Sequence, residues 1–155
     1  MTDLPQIAEL ALRLTAATVI GGAIGLNRDM HGRAAGLRML GLVALGAALA
    51  TVSVLGFQAN TRFPADAVSR VIQGVLTGVG FLGAGVIMRD QVGNVHRLNT
   101  AASVWVTAAI GIICGLGEWL VAVFGATLVL LLLTVGASID RRYFGKRESD
   151  ADRRD

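Results

Sequence analysis

Charged residues, aromatic residues, proline and cysteine are all scarce in this chain of 155 residues. Only 16% of the residues are charged and 5% are aromatic, and there are two prolines and one cysteine. Soluble domains carry about 25% charged residues, which excludes a typical water-soluble enzyme. A single cysteine excludes a disulfide-stapled secreted domain. The high apolar content, 54%, excludes a disordered chain.

Long apolar runs are the main feature of the sequence, and the mean hydropathy is +0.62. A helix needs about 20 mostly apolar residues to cross a bilayer. Five blocks meet or approach this length: residues 4–26, 39–57, 71–88, 98–116 and 119–139. The sequence therefore predicts an all-α, polytopic integral membrane protein with about five transmembrane helices and glycine-rich packing. Residues 1–139 form the predicted transmembrane domain, and residues 140–155 form a charged tail that we expect to be disordered.

The distribution of basic residues predicts the orientation of the spans. Eleven Lys and Arg residues fall on the side of the tail, against two on the other side. By the positive-inside rule, the C-terminus lies in the cytoplasm and the N-terminus lies outside. No basic residue precedes the first span, as a signal peptide would require, so we expect this span to remain in the mature protein. The lipid bilayer is the predicted environment, and nucleic acid is not an expected partner.

Five arginines lie in the loops predicted to face the cytoplasm. They are Arg28, Arg33, Arg38, Arg89 and Arg97. Guanidinium groups that converge on one face can hold a phosphate or an anionic lipid headgroup. The alternative is that these charges only set the topology.

Glycine is the most distinctive residue of the third span. The set is Gly74, Gly78, Gly80, Gly83 and Gly85, and further pairs four residues apart occur at Gly21 and Gly25 and at Gly111 and Gly115. Small residues let helices approach closely in lipid, so close packing is one interpretation. A broken helix that lines an ion or substrate site is the other. The run from Gly78 to Gly83 matches G-x-G-x-x-G, but it lies inside an apolar block, which excludes a dinucleotide site.

A polar cluster precedes the glycines. Pro64 suits the first turn of a helix, which predicts that the third helix begins just before Asp66. Asp66, Arg70 and Gln73 then share one helix face. They form either a charge-paired helix start or a polar entrance. Glu9, four residues before Arg13 on the first span, predicts a second pair of this kind.

Residues with catalytic potential are few. His31 and His96 are isolated from other metal-ligating residues, which argues against a zinc site. Cys114 lies alone in an apolar helix and is interpreted as a packed thiol. No nucleophile motif is present. We therefore expect neither enzymatic activity nor a cofactor.

Three segments together resemble the MgtC/SapB family of membrane proteins. They are Gly25–Asp29 with Ala35–Arg38, Asp66–Ile87, and Thr100–Trp105 with Ala108–Gly111 and Gly115–Gly117. Their order and spacing agree with the family over about residues 7–135. The resemblance implies a bacterial inner-membrane protein linked to magnesium limitation and, in pathogens, to intracellular survival. It also implies that Asp66 matches the family's functionally important acidic residue.

The sequence departs from the family pattern at several positions. Asn27 stands where a glutamate is usual, Met39–Leu40 replaces Thr-His, and Arg97 replaces a glycine. The loss of the carboxylate at position 27 weakens the case for a cytoplasmic cation site. Many members also carry a soluble C-terminal domain of the ACT type, which we do not expect here.

The sequence supports two main hypotheses for the function and a third that involves lipid. The first is a regulator in magnesium homeostasis that binds other membrane proteins, or a second copy of itself, through its glycine-rich faces. The second is direct transport of Mg²⁺, which prefers oxygen ligands. Asp66 is the candidate ligand, with Gln73, Thr77, Thr100 and Ser103 as neutral oxygens. A role in binding lipid headgroups is the third.

Overall fold

A computed structural model describes residues 4–55, 65–89 and 95–143 of the chain. The elements are α1 (Leu4–Met30), α2 (Leu37–Leu55), α3 (Ala65–Val86), β1 (Met88–Arg89), β2 (Val95–His96), α4 (Leu98–Leu116) and α5 (Trp119–Tyr143). All five helices include a segment long and apolar enough to cross a membrane. The prediction of an α-helical protein with five spans is therefore confirmed. The two short strands pair antiparallel between α3 and α4.

The observed helices differ from the predicted apolar blocks mainly where polar residues flank a block. The first helix continues to Met30, beyond the predicted limit at Leu26, because Arg28 near its end is buried in the protein. The third begins at Ala65, just before Asp66, as predicted. The fifth runs to Tyr143, so the first four residues of the predicted tail are helical. Residues 144–155 of that tail lie outside the described residues.

The fourth helix lies at the centre of the bundle, in contact with each of the other helices. More than half of its span is buried, 56%, against 6% for α3 and 11% for α5. The most extensive helix contacts are those of α2 with α1 and with α4. The bundle is thus a tight unit of α1, α2 and α4, with α3 and α5 at its periphery.

Small residues let α1, α2 and α4 approach one another closely. A Cβ atom built on Gly21 would lie 2.6 Å from the Ala44 Cβ, and one on Gly115 would lie 2.8 Å from the Thr51 Cβ. A Cβ atom on Gly111 would overlap the carbonyl oxygen of Ala44. These glycines therefore make the close approach expected of small residues in membrane helices.

The two ends of the bundle have different turns. The α1–α2 turn and the β1–β2 pair lie at one end, called here the β-hairpin end. At the opposite end, Gly117 joins α4 to α5 with a φ of 82°, a left-handed conformation that suits glycine. Its N–H donates to the Cys114 carbonyl at 3.0 Å, and the Glu118 N–H donates to the Ile113 carbonyl at 3.2 Å. This Schellman turn makes the tight helical hairpin that the sequence predicts.

Candidate functional site

A buried arginine, Arg28, organises the β-hairpin end of the bundle. Its side chain is only 1% exposed. The guanidinium Nη1 donates to the Ser103 hydroxyl at 2.9 Å, and Nη2 donates to the Thr100 hydroxyl at 2.7 Å. Both hydroxyls are on the first turns of α4. Arg28 therefore ties the end of α1 to the beginning of the central helix.

The same guanidinium also binds the turn between α1 and α2. Nη2 donates to the Ala34 carbonyl at 2.6 Å, and Nε lies 3.2 Å from the Ala35 carbonyl. Ala35 has a φ of 63°, which is uncommon for a residue with a Cβ atom. The turn is thus held in a strained conformation, and the Arg28 hydrogen bonds to its two carbonyls help to offset that strain.

The carboxylate of the next residue, Asp29, binds the beginning of α2. Asp29 Oδ2 accepts a hydrogen bond of 2.9 Å from the N–H of Leu37, which is the first residue of α2. A carboxylate at this position caps the helix and interacts favourably with its dipole. Any side chain on Gly36 would collide with the Asp29 carboxylate. The sequence run from Asn27 to Arg38 therefore acts as one junction between α1, α2 and α4.

The position of Arg28 corrects its assignment to the basic loop. Its donors are directed to neutral carbonyl and hydroxyl oxygens inside the protein, so it does not contribute to a surface for phosphate or lipid headgroups. Among the described residues, no carboxylate is bonded to the guanidinium of this buried arginine. The sequence signal that could have indicated this role is the Thr100 and Ser103 pair, which shares one face of α4.

The other arginines predicted for the cytoplasmic loops have less contact with the protein. Arg33 is half-buried, and Arg38 and Arg97 are exposed. Arg97 immediately precedes α4 with a left-handed φ of 67°. Arg89 lies on β1, and its side chain is outside the described part of the structure. The predicted headgroup-binding surface is therefore reduced to Arg33, Arg38 and Arg97 among the described side chains.

A further hydroxyl of α4, that of Thr107, is buried without a hydrogen-bond partner among the described residues. An unsatisfied buried hydroxyl costs about 1–3 kcal/mol. We expect Thr107→Val, which keeps the shape of the side chain, to raise the free energy of unfolding by about 1 kcal/mol. Thermal unfolding in detergent measures this.

Thr51→Val is the matched control for that substitution. Thr51 is equally buried, but its hydroxyl donates to the Ala47 carbonyl at 2.8 Å. Its replacement should be neutral or destabilising. A Thr107→Val protein that unfolds at a lower temperature than wild type would contradict the prediction.

The predicted pair of Glu9 and Arg13 lies at the opposite end of the bundle. Arg13 Nε and Glu9 Oε1 are 2.9 Å apart, and Arg13 Nη1 donates to the Gly115 carbonyl at 2.9 Å. The latter oxygen belongs to the last turn of α4, where a cation interacts favourably with the helix dipole. Arginines of α1 therefore hold both ends of α4.

The polar cluster of α3 lies on the surface of the bundle. Asp66, Arg70 and Gln73 are all exposed. Arg70 Nε donates to the backbone carbonyl of Asp66 at 3.3 Å, and no ion pair joins the two side chains. The three side chains therefore share a face, as expected, but the charge pairing expected of a simple helix start is absent within the described chain.

Most glycines of α3 have free space beside them. A Cβ atom on Gly74, Gly78, Gly80 or Gly85 would meet nothing within 4 Å, whereas one on Gly83 would contact the Ala101 Cβ at 3.6 Å. The helix is continuous from Ala65 to Val86, so it is not broken at the glycines. Among the described residues, the four open glycines therefore have no neighbouring helix packed against them.

An apolar groove of about 400 Å³ separates α2 from α3. We call it the α2–α3 groove. It is lined by Leu42, Val43, Gly46, Ala47, Gly74, Val75, Gly78, Val79 and Leu82. Gly46 faces open space from α2, as Gly74 and Gly78 do from α3. Small residues on both walls leave room for an apolar segment.

The five candidate cation ligands do not converge on one site. Thr100 and Ser103 bind Arg28 at the β-hairpin end, whereas Asp66 lies at the other end of α3, roughly 30 Å away by the rise of an α-helix. Among the described residues, no three His, Cys, Asp or Glu side chains are grouped so that they could hold a metal ion. A site that combines these oxygens within one chain is therefore not formed.

Comparison with known proteins places these features in a family. The model of the MgtC family matches residues 14–142. Protein SrpB of Synechococcus elongatus is 42% identical over 133 residues, which are 81% of this chain and 73% of SrpB. YhiD of Escherichia coli K12, named as a candidate magnesium transporter, is 41% identical over 90% of this chain and 66% of its own length.

Protein MgtC of Salmonella typhimurium is 44% identical over 124 residues, which are 80% of this chain. The chain spans about half the length of that relative, 50%. No solved structure matches the chain significantly. The matched region runs from the first span into the fifth and includes both the Arg28 junction and the glycine-rich helix. The chain belongs to the MgtC family of membrane proteins.

Proposed function

We propose that this protein is a bacterial inner-membrane regulator in magnesium homeostasis, and that it acts by binding another membrane protein in the α2–α3 groove. The name of its relative YhiD, a candidate magnesium transporter, supplies the link to magnesium. The bias of basic residues supports a cytoplasmic β-hairpin end and C-terminus and an external N-terminus. The open groove is the observation that carries the mode of action.

The groove suits a transmembrane helix of a partner. It is apolar, it lies between two spanning helices, and three glycines on its walls leave the backbone accessible. Helices associate in lipid through such small residues because van der Waals contact replaces the hydrophobic drive available in water. The open glycines weaken α3 by up to about 1 kcal/mol each relative to alanine, a cost that contact with a partner would offset.

Growth in low magnesium tests the regulatory role. A bacterium deleted for its own MgtC-family gene would be complemented with the wild type or with Gly78→Leu, which fills the groove. We expect Gly78→Leu to abolish complementation at normal protein level. Gly125→Leu is the matched control, because Gly125 also faces open space but lies on α5, away from the groove. Full complementation by Gly78→Leu would contradict the proposal.

Direct Mg²⁺ transport is the alternative, and Asp66 is its candidate ligand. Flux into proteoliposomes under an imposed gradient distinguishes the two functions. We expect the flux with wild-type protein to equal that of empty liposomes, since Thr100 and Ser103 are bound to Arg28, away from Asp66, and no cluster of acidic ligands forms among the described residues. Flux that Asp66→Asn abolishes, and that Glu118→Gln at the same end preserves, would instead establish transport.

A further inference from the structure

The outer face of α3 is polar where a lipid-facing helix would be apolar. Five exposed residues lie within about 80° of one another on this face at 100° per residue: Asp66, Arg70, Gln73, Thr77 and Phe81. The outward surface of α5, by contrast, presents Leu120, Phe124 and Leu132, which are at least 67% exposed. We call the five α3 residues the outer α3 face. It is distinct from the α2–α3 groove.

Exposure of this face to lipid would be unfavourable. Arg70 and Gln73 belong to the segment of α3 that is long and apolar enough to span the membrane. Polar side chains at membrane depth normally face protein or water, because an unsatisfied polar group in hydrocarbon is costly. Within the described chain, the Asp66 carboxylate and the Gln73 amide have no hydrogen-bond partner. A polar surface against the outer α3 face would satisfy these groups.

We infer that a second copy of this chain covers the outer α3 face, and that α3 pairs with its equivalent about a two-fold axis along the membrane normal. The face carries one charge of each sign, one helical turn apart. In a parallel two-fold pair, Asp66 of each copy lies about one helical turn from Arg70 of the other, within the reach of an arginine side chain, so the two opposite-charge contacts form together. The face is therefore complementary to itself.

The neutral residues of the face fit the same arrangement. Two Gln73 amides can bond to each other, because an amide supplies both a donor and an acceptor. Gly85 lies beside the face and is not part of the groove lining, and a Cβ atom on it would meet nothing within 4 Å. Two α3 helices can thus approach closely enough for short side chains to meet. The pairing goes beyond the proposed regulatory role, since it uses another surface and needs no other protein.

Disulfide cross-linking in vesicles tests the pairing. Purified full-length protein with Cys114→Ser is reconstituted in lipid, so that only another copy can react. Thr77→Cys and Gln73→Cys, each in this background, should give a dimer-sized product on mild oxidation. Val123→Cys, on the exposed surface of α5, is the control and should not. Cross-linking of Thr77→Cys no greater than that of the control would overturn the inference.

Charge exchange provides the second arm of the test. Asp66→Arg or Arg70→Asp alone should lower the cross-linked fraction of Thr77→Cys roughly tenfold, a change that corresponds to about 1.4 kcal/mol. The double exchange, Asp66→Arg with Arg70→Asp, should restore it. Failure of the double exchange to restore cross-linking, in protein that unfolds at the wild-type temperature, would overturn the ion-paired arrangement. Because growth with Gly78→Leu tests the groove separately, either proposal can fail without the other.

Discussion

Replacement of Arg28 by methionine is expected to lower the free energy of unfolding by about 3 kcal/mol or more. Methionine fills much of the volume but leaves the Ala34 and Ala35 carbonyls and the α4 hydroxyls without their donor. Hydrogen bonds to charged groups contribute about 1.5–3 kcal/mol each, and buried groups left unpaired lose about 1–3 kcal/mol. The strained turn at Ala35 would lose its support as well.

Thermal unfolding in detergent measures this effect. Arg38→Met is the matched control, since Arg38 is exposed and follows the same turn, and it should leave Tm within a few degrees of wild type. Arg28→Lys should give an intermediate loss, because an ammonium group cannot reproduce the fork of guanidinium donors. Equal Tm values for Arg28→Met and Arg38→Met would show that the junction does not stabilise the bundle.

Gly111→Ala is expected to destabilise the protein by about 2 kcal/mol or more. The added methyl group would overlap the carbonyl oxygen of Ala44, and a backbone atom cannot move aside as the end of a flexible side chain can. Overpacking of a tight core costs about 1–3 kcal/mol. The contact between α2 and α4 would have to open to admit one methyl group.

Gly80→Ala is the control for that substitution. It adds the same methyl group to another membrane helix, at a position where the new atom meets nothing within 4 Å. Alanine has a higher helix propensity than glycine by about 1 kcal/mol, so Gly80→Ala should be neutral or stabilising. If the two substitutions shifted Tm equally, the distinction between tight glycines on α4 and open glycines on α3 would be wrong.

These two predictions concern the rigid part of the molecule, and the functional proposals concern its periphery. Arg28 and the glycines of α1 and α4 hold three helices together with little free space. The third helix contacts this unit on one side and leaves a groove and a polar face on the others. Such an arrangement provides a stable support for a helix whose remaining surface is available to partners.

Much of the fold follows from the sequence. The lengths of the five apolar blocks predict the spans, because a membrane helix must be about 20 apolar residues long whatever its neighbours are. The bounds of α4 agree with the prediction at both ends, since polar Arg97 and the Gly117 turn flank its apolar block. Polar residues near the C-terminal end of α1 obscured its true extent, because hydropathy does not distinguish a buried arginine from a loop arginine.

Chain length, hydropathy and the family motifs were sufficient to assign a five-span membrane protein of the MgtC family, because the bilayer imposes the same rules on every helix. Only the tertiary structure decided which arginine is buried and which glycines lie against a neighbouring helix. Arg28 resembles Arg33 and Arg38 in sequence, and only the position of α4 gives it hydroxyl partners. Gly78 resembles Gly111 in the same way, but only the latter lies against the backbone of a neighbouring helix, because contact depends on how helices pack and not on residue type.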